Sequence, residues 1–197
     1  MLSQLIRFDE QLFLWLNGFH SPGWDRIMWL FSTRWFWVPV YAVLLAALFR
    51  RYGSRMFLRI VVVVIICVTI NDQLASGIFK PWVARPRPTY TEGISHLVHT
   101  VTDLSGNPYR GGRFGFYSSH TANLFGVAVL YLVLMRPNPR WVAPLIYLWV
   151  TTVAYSRIYL GVHFPLDILT GMAMGTMIGW LCFVMFNRYL LTRSSSA

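Results

Sequence analysis

The stretch SRIYLGVHFPLD, residues 156–167, places three ionisable side chains between apolar segments. Pro165 suits the first position of a helix that Phe164 would cap, so Asp167 would lie near the third position, where the helix dipole favours a carboxylate. His163 lies close enough for that carboxylate to accept its ring N–H, which would fix the tautomer and raise the basicity of the other nitrogen. Such a histidine could act as a general base or as a nucleophile. The alternative is that Asp167 only caps a helix and His163 is an interfacial residue.

A second histidine ends the glycine-rich stretch RGGRFGFYSSH, residues 110–120. Ser118 or Ser119 can cap a helix that continues into TANLFGVAVLYLVLM, and the free N–H groups at such a helix start can bind an anion. His120 would lie in the first turn, where it could donate a proton to a leaving group. The alternative is an ordinary serine-capped helix that carries a histidine by chance.

Three cations lie at the ends of predicted helices. Lys80, the single lysine of the chain, closes an apolar segment, and Arg87 lies in the stiff segment RPRP. Arg157 lies in the last turn of an otherwise apolar helix, where a charged side chain is a candidate functional residue. Arginine suits phosphate because its planar fork can bond two oxygens at once. A basic patch that only contacts lipid headgroups is the alternative.

Together these groups predict a pocket for a multiply charged anion with a histidine on either side. The N–H groups of the helix start and the three cations would hold the equatorial oxygens of a phosphoryl group. One histidine would attack phosphorus and the other would protonate the departing oxygen, as in transfer through a phosphohistidine. A noncatalytic phospholipid binder or scramblase with the same pocket is the alternative, although binding alone requires neither a nucleophile nor a proton donor.

The elements that must position these residues are apolar helices. The chain of 197 residues is 56% hydrophobic and 12% charged, whereas a soluble domain is about 25% charged. Four or five segments are apolar and close to the length that spans a bilayer: 35–50, 57–79, 118–135, 141–160 and 165–187. The first is short, and a start near Ile27 is the alternative. The sequence therefore predicts a single all-α domain over residues 1–197, a polytopic membrane helical bundle of about five transmembrane helices whose motif-bearing core is 57–187.

The N-terminal segment 3–19 is amphipathic and short. It is predicted to be an interfacial helix that lies in the plane of the membrane surface, with a sixth span as the alternative. The charges of Arg7, Asp9 and Glu10 interrupt its apolar residues, so we expect no cleavable signal peptide.

The arginines predict how the bundle is oriented. The turns 50–55 and 136–140 and the C-terminal segment NRYLLTR hold seven arginines and no acid, which is typical of the cytoplasmic side. Helices joined by short turns return to the same face at every second crossing. The three clusters that hold the histidines and the cations would therefore share the opposite side. We therefore expect an integral membrane protein whose active site faces the periplasm or exterior.

Composition also argues against other classes. The formal charge of +10 comes mainly from arginines scattered between apolar blocks, without a basic arm, so no nucleic acid is expected as a partner. Cys67 and Cys182 lie in apolar segments and form no C-x-x-C pattern, so we interpret them as packing residues. His96 and His99 have the spacing of a metal pair, but no third ligand accompanies them, so no metal site is predicted.

The spacing of the three clusters is a family signature. K-x6-RP (80–88), the serine-histidine element (118–120) and SR-x5-H-x3-D (156–167) together resemble the type-2 phosphatidic acid phosphatase superfamily. That superfamily includes undecaprenyl pyrophosphate phosphatases, phosphatidylglycerophosphate phosphatases and lipid A phosphatases. The resemblance covers residues 57–187. The related vanadium haloperoxidases are soluble, which disagrees with this apolar chain.

The resemblance implies a role for each motif residue. His163 would be the nucleophile, Asp167 its orienting partner and His120 the general acid. The phosphate cradle would consist of Lys80, Arg87, Ser118, Ser119 and Arg157. The implied activity is a metal-independent, cofactor-free membrane phosphatase that hydrolyses a lipid phosphate or pyrophosphate in bacterial envelope metabolism. The implied location is the bacterial inner membrane.

Two features depart from the pattern or lie outside it. The element YSSH has Tyr117 where the family has proline and Ser119 where it has glycine, but serine can still present its N–H, so we expect activity to be retained. The long loop 89–116 is predicted to be a lid or headgroup-recognition element. Within it, the side chains expected nearest to the phosphate are Tyr109, Arg110 and Arg113.

Overall fold

The computed structural model describes residues 2–102 and 106–194, so residues 103–105 of the long loop and both chain ends lie outside the description. The described residues form helices and loops and no strand, only two isolated bridges. The helices are α1 (Leu2–Asn17), α2 (Pro22–Ser32), α3 (Val38–Asp72), α4 (Lys80–Val83), α5 (Ser119–Leu134), α6 (Val142–Tyr159) and α7 (Pro165–Ser194). A π-helical stretch, Gln73–Phe79, joins α3 to α4. This architecture confirms the all-α prediction.

Helix α3 contains a break at Gly53, whose φ of 68° and ψ of 172° are not helical. The rings of Phe49 and Phe57 lie 5.4 Å apart, although eight residues of straight helix would separate them by about 12 Å along the axis. The two halves therefore fold back on each other, and the break falls within the predicted turn 50–55. Glycine is suited to this turn because it reaches positive φ without a steric penalty.

The outer surface is apolar. Among the described residues, two helical runs are long and apolar enough to cross a membrane, Arg34–Val83 and Pro165–Tyr189, and α5 is a shorter apolar helix. Several leucines, valines and isoleucines of α3, α6 and α7 are more than half exposed, among them Val43, Val62, Leu148 and Leu169. Because soluble monomers rarely expose so much apolar surface, this surface is typical of a membrane protein. The number of crossings stays a prediction.

The core of the bundle is the contact between α5 and α7. Both helices approach closely because α7 presents Gly171, Gly175 and Gly179 to α5. A Cβ atom on Gly175 would lie 2.2 Å from the carbonyl oxygen of Ala122, which leaves no space for any side chain. At the start of both helices, the Ser118 N–H donates to the Asp167 carbonyl over 3.1 Å. The two motif-bearing helices are thus fixed against each other.

The two ends of the bundle differ in character. At one end the Tyr52 hydroxyl donates to the Leu134 carbonyl and the Arg51 guanidinium donates to the Arg136 carbonyl, both over 2.5 Å. These contacts bring the arginine-rich turns 50–55 and 136–140 together at one end of the bundle, as predicted from the alternation of the helix crossings. The other end carries the starts of α5 and α7 and the three motifs.

Helices α1 and α2 cover this second end. Phe13 of α1 is fully buried and packs edge-on against Phe164, with ring centroids 5.3 Å apart. Tyr159 of α6 donates its hydroxyl to Asp25 of α2 over 2.7 Å. The outward face of α1 exposes Leu2, Phe8 and Trp15 among other apolar side chains, as expected for a helix at a membrane surface.

Candidate active site

The start of α7 holds His163 against Asp167. Pro165 begins the helix and Asp167 occupies its third position, as the sequence predicted. Oδ2 of Asp167 accepts the Phe164 N–H over 3.1 Å and lies 3.4 Å from Nδ1 of His163. Because Nδ1 faces a carboxylate, it carries the proton of the neutral ring, and Nε2 keeps the free electron pair.

His163 is almost completely buried, at 3% exposure. Burial lowers the pKa of His163 to about 4, even though the hydrogen bond and charge of Asp167 act in the opposite direction. Arg87 and Arg157 add to the lowering because their positive charges disfavour a third. The ring is therefore neutral near pH 7 and able to act as a nucleophile.

The start of α5 contributes the second histidine. Ser118 is the N-cap, and its hydroxyl accepts the Thr121 N–H over 3.4 Å. His120 lies in the first turn, within electrostatic range of both His163 and Arg157. Its Nε2 is buried and has no hydrogen-bond partner among the described residues. A buried nitrogen without a partner is available to exchange a proton with a bound molecule.

Two buried arginines accompany the histidines. Arg87 and Arg157 are each 8% exposed, and neither has a carboxylate partner in the described part of the chain. Arg87 donates through Nε to the Phe114 carbonyl over 3.2 Å, and burial and the charge of Arg157 lower its pKa. Arg157 donates to the hydroxyls of Ser32 and Tyr109. A buried cation without a counter-charge is costly, so this pair favours a bound anion.

Lys80 completes the cationic side of the pocket. Its ammonium lies 3.1 Å from the hydroxyl of Ser76, on the preceding turn, and 3.4 Å from the hydroxyl of Ser119. Lys80, Ser119 and the N-cap Ser118 thus lie together, although 39 residues of sequence separate the lysine from Ser119. The structure brings all eight residues expected from the motifs to the same end of the bundle.

The three loop residues expected near the phosphate have different surroundings. Tyr109 contacts the site directly, because its hydroxyl accepts from Arg157 over 3.1 Å. Burial alone would raise the pKa of Tyr109, but the charge and hydrogen bond of Arg157, together with the charges of Arg87 and Arg34, lower that pKa. Arg110 and Arg113 have exposed side chains, and Arg113 packs over its neighbour Phe114.

Sequence reasoning missed four residues around the site. Arg85 forms ion pairs with both Asp9 and Asp167, and Ser32 bonds to Arg157. Arg34 lines the cavity beside His120. Asp9 could have been noticed because it is an acid on the same helix face as Phe13, which is buried. The helical periodicity of the sequence does not predict which cation pairs with it.

The two loop histidines, His96 and His99, have different surroundings. In the described ranges, no group of three or more histidine, cysteine or acidic side chains could hold a metal ion. His99 lies 2.8 Å from Asp25 and stacks on His20, with ring centroids 3.8 Å apart, while His96 is exposed. His99 therefore fastens the long loop to α2.

A cavity of about 640 Å³ leads away from His120. Ser119 and His120 line it at the motif end, and Leu48 and Leu134 line it near the arginine-rich end. Because α5 contributes side chains from its first turn to its last, the cavity follows the helix for about 20 Å. Its walls are mainly apolar residues of α3 and α5, with Arg34, Asp72 and Ser76 among the polar residues that line it.

The fold and this pocket define a helical membrane protein with two buried arginines beside two histidines at one end and an apolar cavity behind His120. A family model described as the PAP2 superfamily matches residues 57–190. The chain belongs to the PAP2 superfamily, which confirms the resemblance inferred from the motifs.

Two curated relatives match nearly the whole chain. A lipid A 4'-phosphatase of Bacteroides thetaiotaomicron is 39% identical over 95% of this chain and 81% of its own length. A lipid A 4'-phosphatase of Porphyromonas gingivalis is 36% identical over 98% of this chain and 78% of its own length.

A solved structure shares the fold. The transmembrane PAP2-type phosphatidylglycerolphosphate phosphatase of Bacillus subtilis superposes with a TM-score of 0.67. The superposition covers 94% of this chain and 87% of that one at 20% identity. It supports the helical membrane architecture.

Proposed function

We propose that this chain is a membrane phosphatase that removes a phosphate from a lipid of the lipid A type through a phosphohistidine intermediate. One observation carries the reaction type: Arg87 and Arg157 are buried without a carboxylate partner in the described part of the chain, beside a histidine that a carboxylate orients. The two lipid A 4'-phosphatases that match almost the whole chain support the substrate class.

The reaction divides into two displacements. In the first, Nε2 of His163 attacks phosphorus, the bond from phosphorus to the lipid oxygen breaks, and His120 gives its proton to that oxygen. In the second, His120 takes a proton from water, which attacks the phosphohistidine and releases inorganic phosphate. Asp167 holds Nδ1–H throughout and stabilises the positive ring as it forms.

The cations and N–H groups act on the charge that develops on the transferred group. Lys80, Arg87 and Arg157 would neutralise the equatorial oxygens, and the N–H groups at the start of α5 would add donors in a water-poor site. No metal or cofactor is needed for this assignment of roles. The apolar cavity behind His120 would take an acyl chain of the lipid.

Hydrolysis by purified protein in detergent with EDTA tests the proposal. We expect phosphate release from lipid A that exceeds release from undecaprenyl pyrophosphate, phosphatidylglycerophosphate and phosphatidic acid. His163→Ala should lower the rate at least about 10³-fold, because removing a nucleophile leaves only binding and electrostatic effects. His96→Ala, at an exposed loop position, is the matched control and should keep the rate.

The results separate the two classes of function. Phosphate release by His163→Ala at the wild-type rate would exclude the nucleophile assignment. Absence of release from every lipid, with phosphate still bound, would favour the noncatalytic phospholipid binder instead.

A further inference from the structure

Helix α1 lies across the turn that carries His163 and contacts the helices on both sides of it. Asn17, at the end of α1, donates to the carbonyls of Ile158 and Tyr159 over 3.1 and 2.8 Å, so it satisfies the last turn of α6. Asp9 lies eight residues earlier, about 12 Å along the same helix. Its Oδ1 accepts the Leu166 N–H at the start of α7 over 2.9 Å. One helix therefore supplies caps to both helix ends that flank the nucleophile.

Arg85 connects this helix to the site. Its Nη2 lies 2.6 Å from Oδ2 of Asp9, and its Nη1 lies 3.1 Å from Oδ1 of Asp167. The two carboxylates are 1% and 0% exposed, and the arginine side chain is 17% exposed. Arg85 also lies over the ring of Phe164, with its guanidinium carbon 4.0 Å from the centroid. These contacts fix the guanidinium in one plane.

The oxygens of Asp167 are divided between two tasks. Oδ2 receives the Phe164 N–H and faces Nδ1 of His163, while Oδ1 receives only Arg85 among the described contacts. Without Arg85, Oδ1 would be a buried anionic oxygen with no partner, and the carboxylate could rotate toward other donors. Rotation would remove the acceptor that holds Nδ1–H of His163.

We propose that Asp9 and Arg85 are positioning residues for the nucleophile: α1 orients His163 through the chain Asp9, Arg85 and Asp167. The inference depends on the proposed role of His163 as the attacking residue. Asp9 fixes the guanidinium from the far side, Arg85 fixes Oδ1 of Asp167, and Asp167 fixes the imidazole. Seating of α1 on the bundle thereby completes the active site.

Steady-state kinetics of Arg85→Gln and Asp9→Asn test the proposal. We expect each to lower kcat about 10–100-fold, the range for removing an outer partner that orients a histidine. KM should change less than about threefold, because neither side chain is assigned to the phosphate. Arg85→Lys should recover part of the loss, since an ammonium can pair with one carboxylate but cannot bridge both as the fork does. Arg26→Gln and Glu10→Gln are matched controls, because both lie on the same covering helices outside the network.

A double-mutant cycle separates positioning from a merely structural role. If Arg85 acts through Asp167, Arg85→Gln should have little further effect on kcat in an Asp167→Asn background. A role only in holding the fold would instead lower kcat by the same factor in both backgrounds, and that result would overturn the proposal. Thermal unfolding of each variant shows that the kinetic change occurs in folded protein.

The two proposals fail in different ways. Wild-type protein that hydrolyses no lipid contradicts the proposed function before any variant is compared. Wild-type protein that hydrolyses lipid and loses activity in His163→Ala, but keeps full kcat in Arg85→Gln, contradicts only the positioning role.

Discussion

The chemistry of this site depends on a histidine kept neutral by its surroundings. The groups that face His163 are Asp167 on α7, Arg87 on the loop, Arg157 on α6 and His120 on α5. Burial and the two guanidiniums disfavour the charged ring, and Asp167 opposes them only in part. The same cations that would bind phosphate thus add to the effect of burial in disfavouring the protonated ring of His163.

The protonation of His163 can be followed by 15N NMR of histidine-labelled protein in detergent. Because its pKa is lowered to about 4, we expect the neutral ring, with the proton on Nδ1, to persist as the pH falls from 7 to 5 and to protonate only near pH 4. Asp167→Asn should move that titration to still lower pH, since the carboxylate is the group that raises the pKa. Titration of His163 above pH 6.5 in the free wild-type protein would contradict this picture.

The sequence predicts the roles of some residues in the candidate site and not of others. His163 and Asp167 could be paired because a four-residue spacing across a helix start is local geometry. The contact between Lys80 and Ser119 could be expected only from the family resemblance, since it joins separate elements. Arg85 was not identified, because nothing local distinguishes it from Arg87 in the segment RPRP.

Among the elements, α5 and α7 determine whether the two histidines share one site. The Ser118 N–H donates to the Asp167 carbonyl and so links the starts of the two helices. Their axes are close because three glycines of α7 face α5. Any change in this separation would move His120 relative to His163. Packing of these two helices is therefore a condition for catalysis as well as for stability.

Gly175→Ala tests this packing. Its new Cβ would lie 2.2 Å from a backbone oxygen, which cannot rotate away, so α7 must shift. We expect a loss of about 1–3 kcal/mol in unfolding free energy, as for overpacked cores, with a loss of kcat. Gly23→Ala on α2 is the control, because its Cβ would meet no atom within 4 Å. Wild-type stability and kcat in Gly175→Ala would contradict the close packing.

The boundaries of these elements agree closely with sequence expectation. The predicted segments 118–135 and 141–160 correspond to α5 and α6, and the start of α5 carries the Ser118 cap. The segments 35–50 and 57–79 are joined in one helical run that reverses at Gly53. The π-helical stretch before Lys80 had no sequence signal, because its register depends on tertiary contacts.

The molecule as a whole has two chemically different ends. The arginine-rich turns meet at one end, and the histidines, buried cations and covering helix α1 lie at the other. With the positive end in the cytoplasm, the site would open to the periplasm.

Cysteine labelling tests this orientation. Ser95→Cys, on the exposed loop at the motif end, should react with a membrane-impermeant maleimide in intact spheroplasts. Ser54→Cys, at the turn near Gly53, should react only after permeabilisation. Wild-type protein is the control, because Cys67 and Cys182 are buried and should not be labelled. The reverse pattern would place the site in the cytoplasm.

The linear order of residues was enough to predict the helical membrane class, the family and the local pairing of His163 with Asp167, because hydropathy and short spacings act within one or two helical turns. The folded chain was needed to show that Asp9 of α1 caps the helix that follows His163, that Arg85 bridges Asp9 and Asp167, and that an apolar cavity begins at His120. These contacts join residues up to about 160 positions apart. They arise from how helices pack, and packing depends on the shape of all the partners at once.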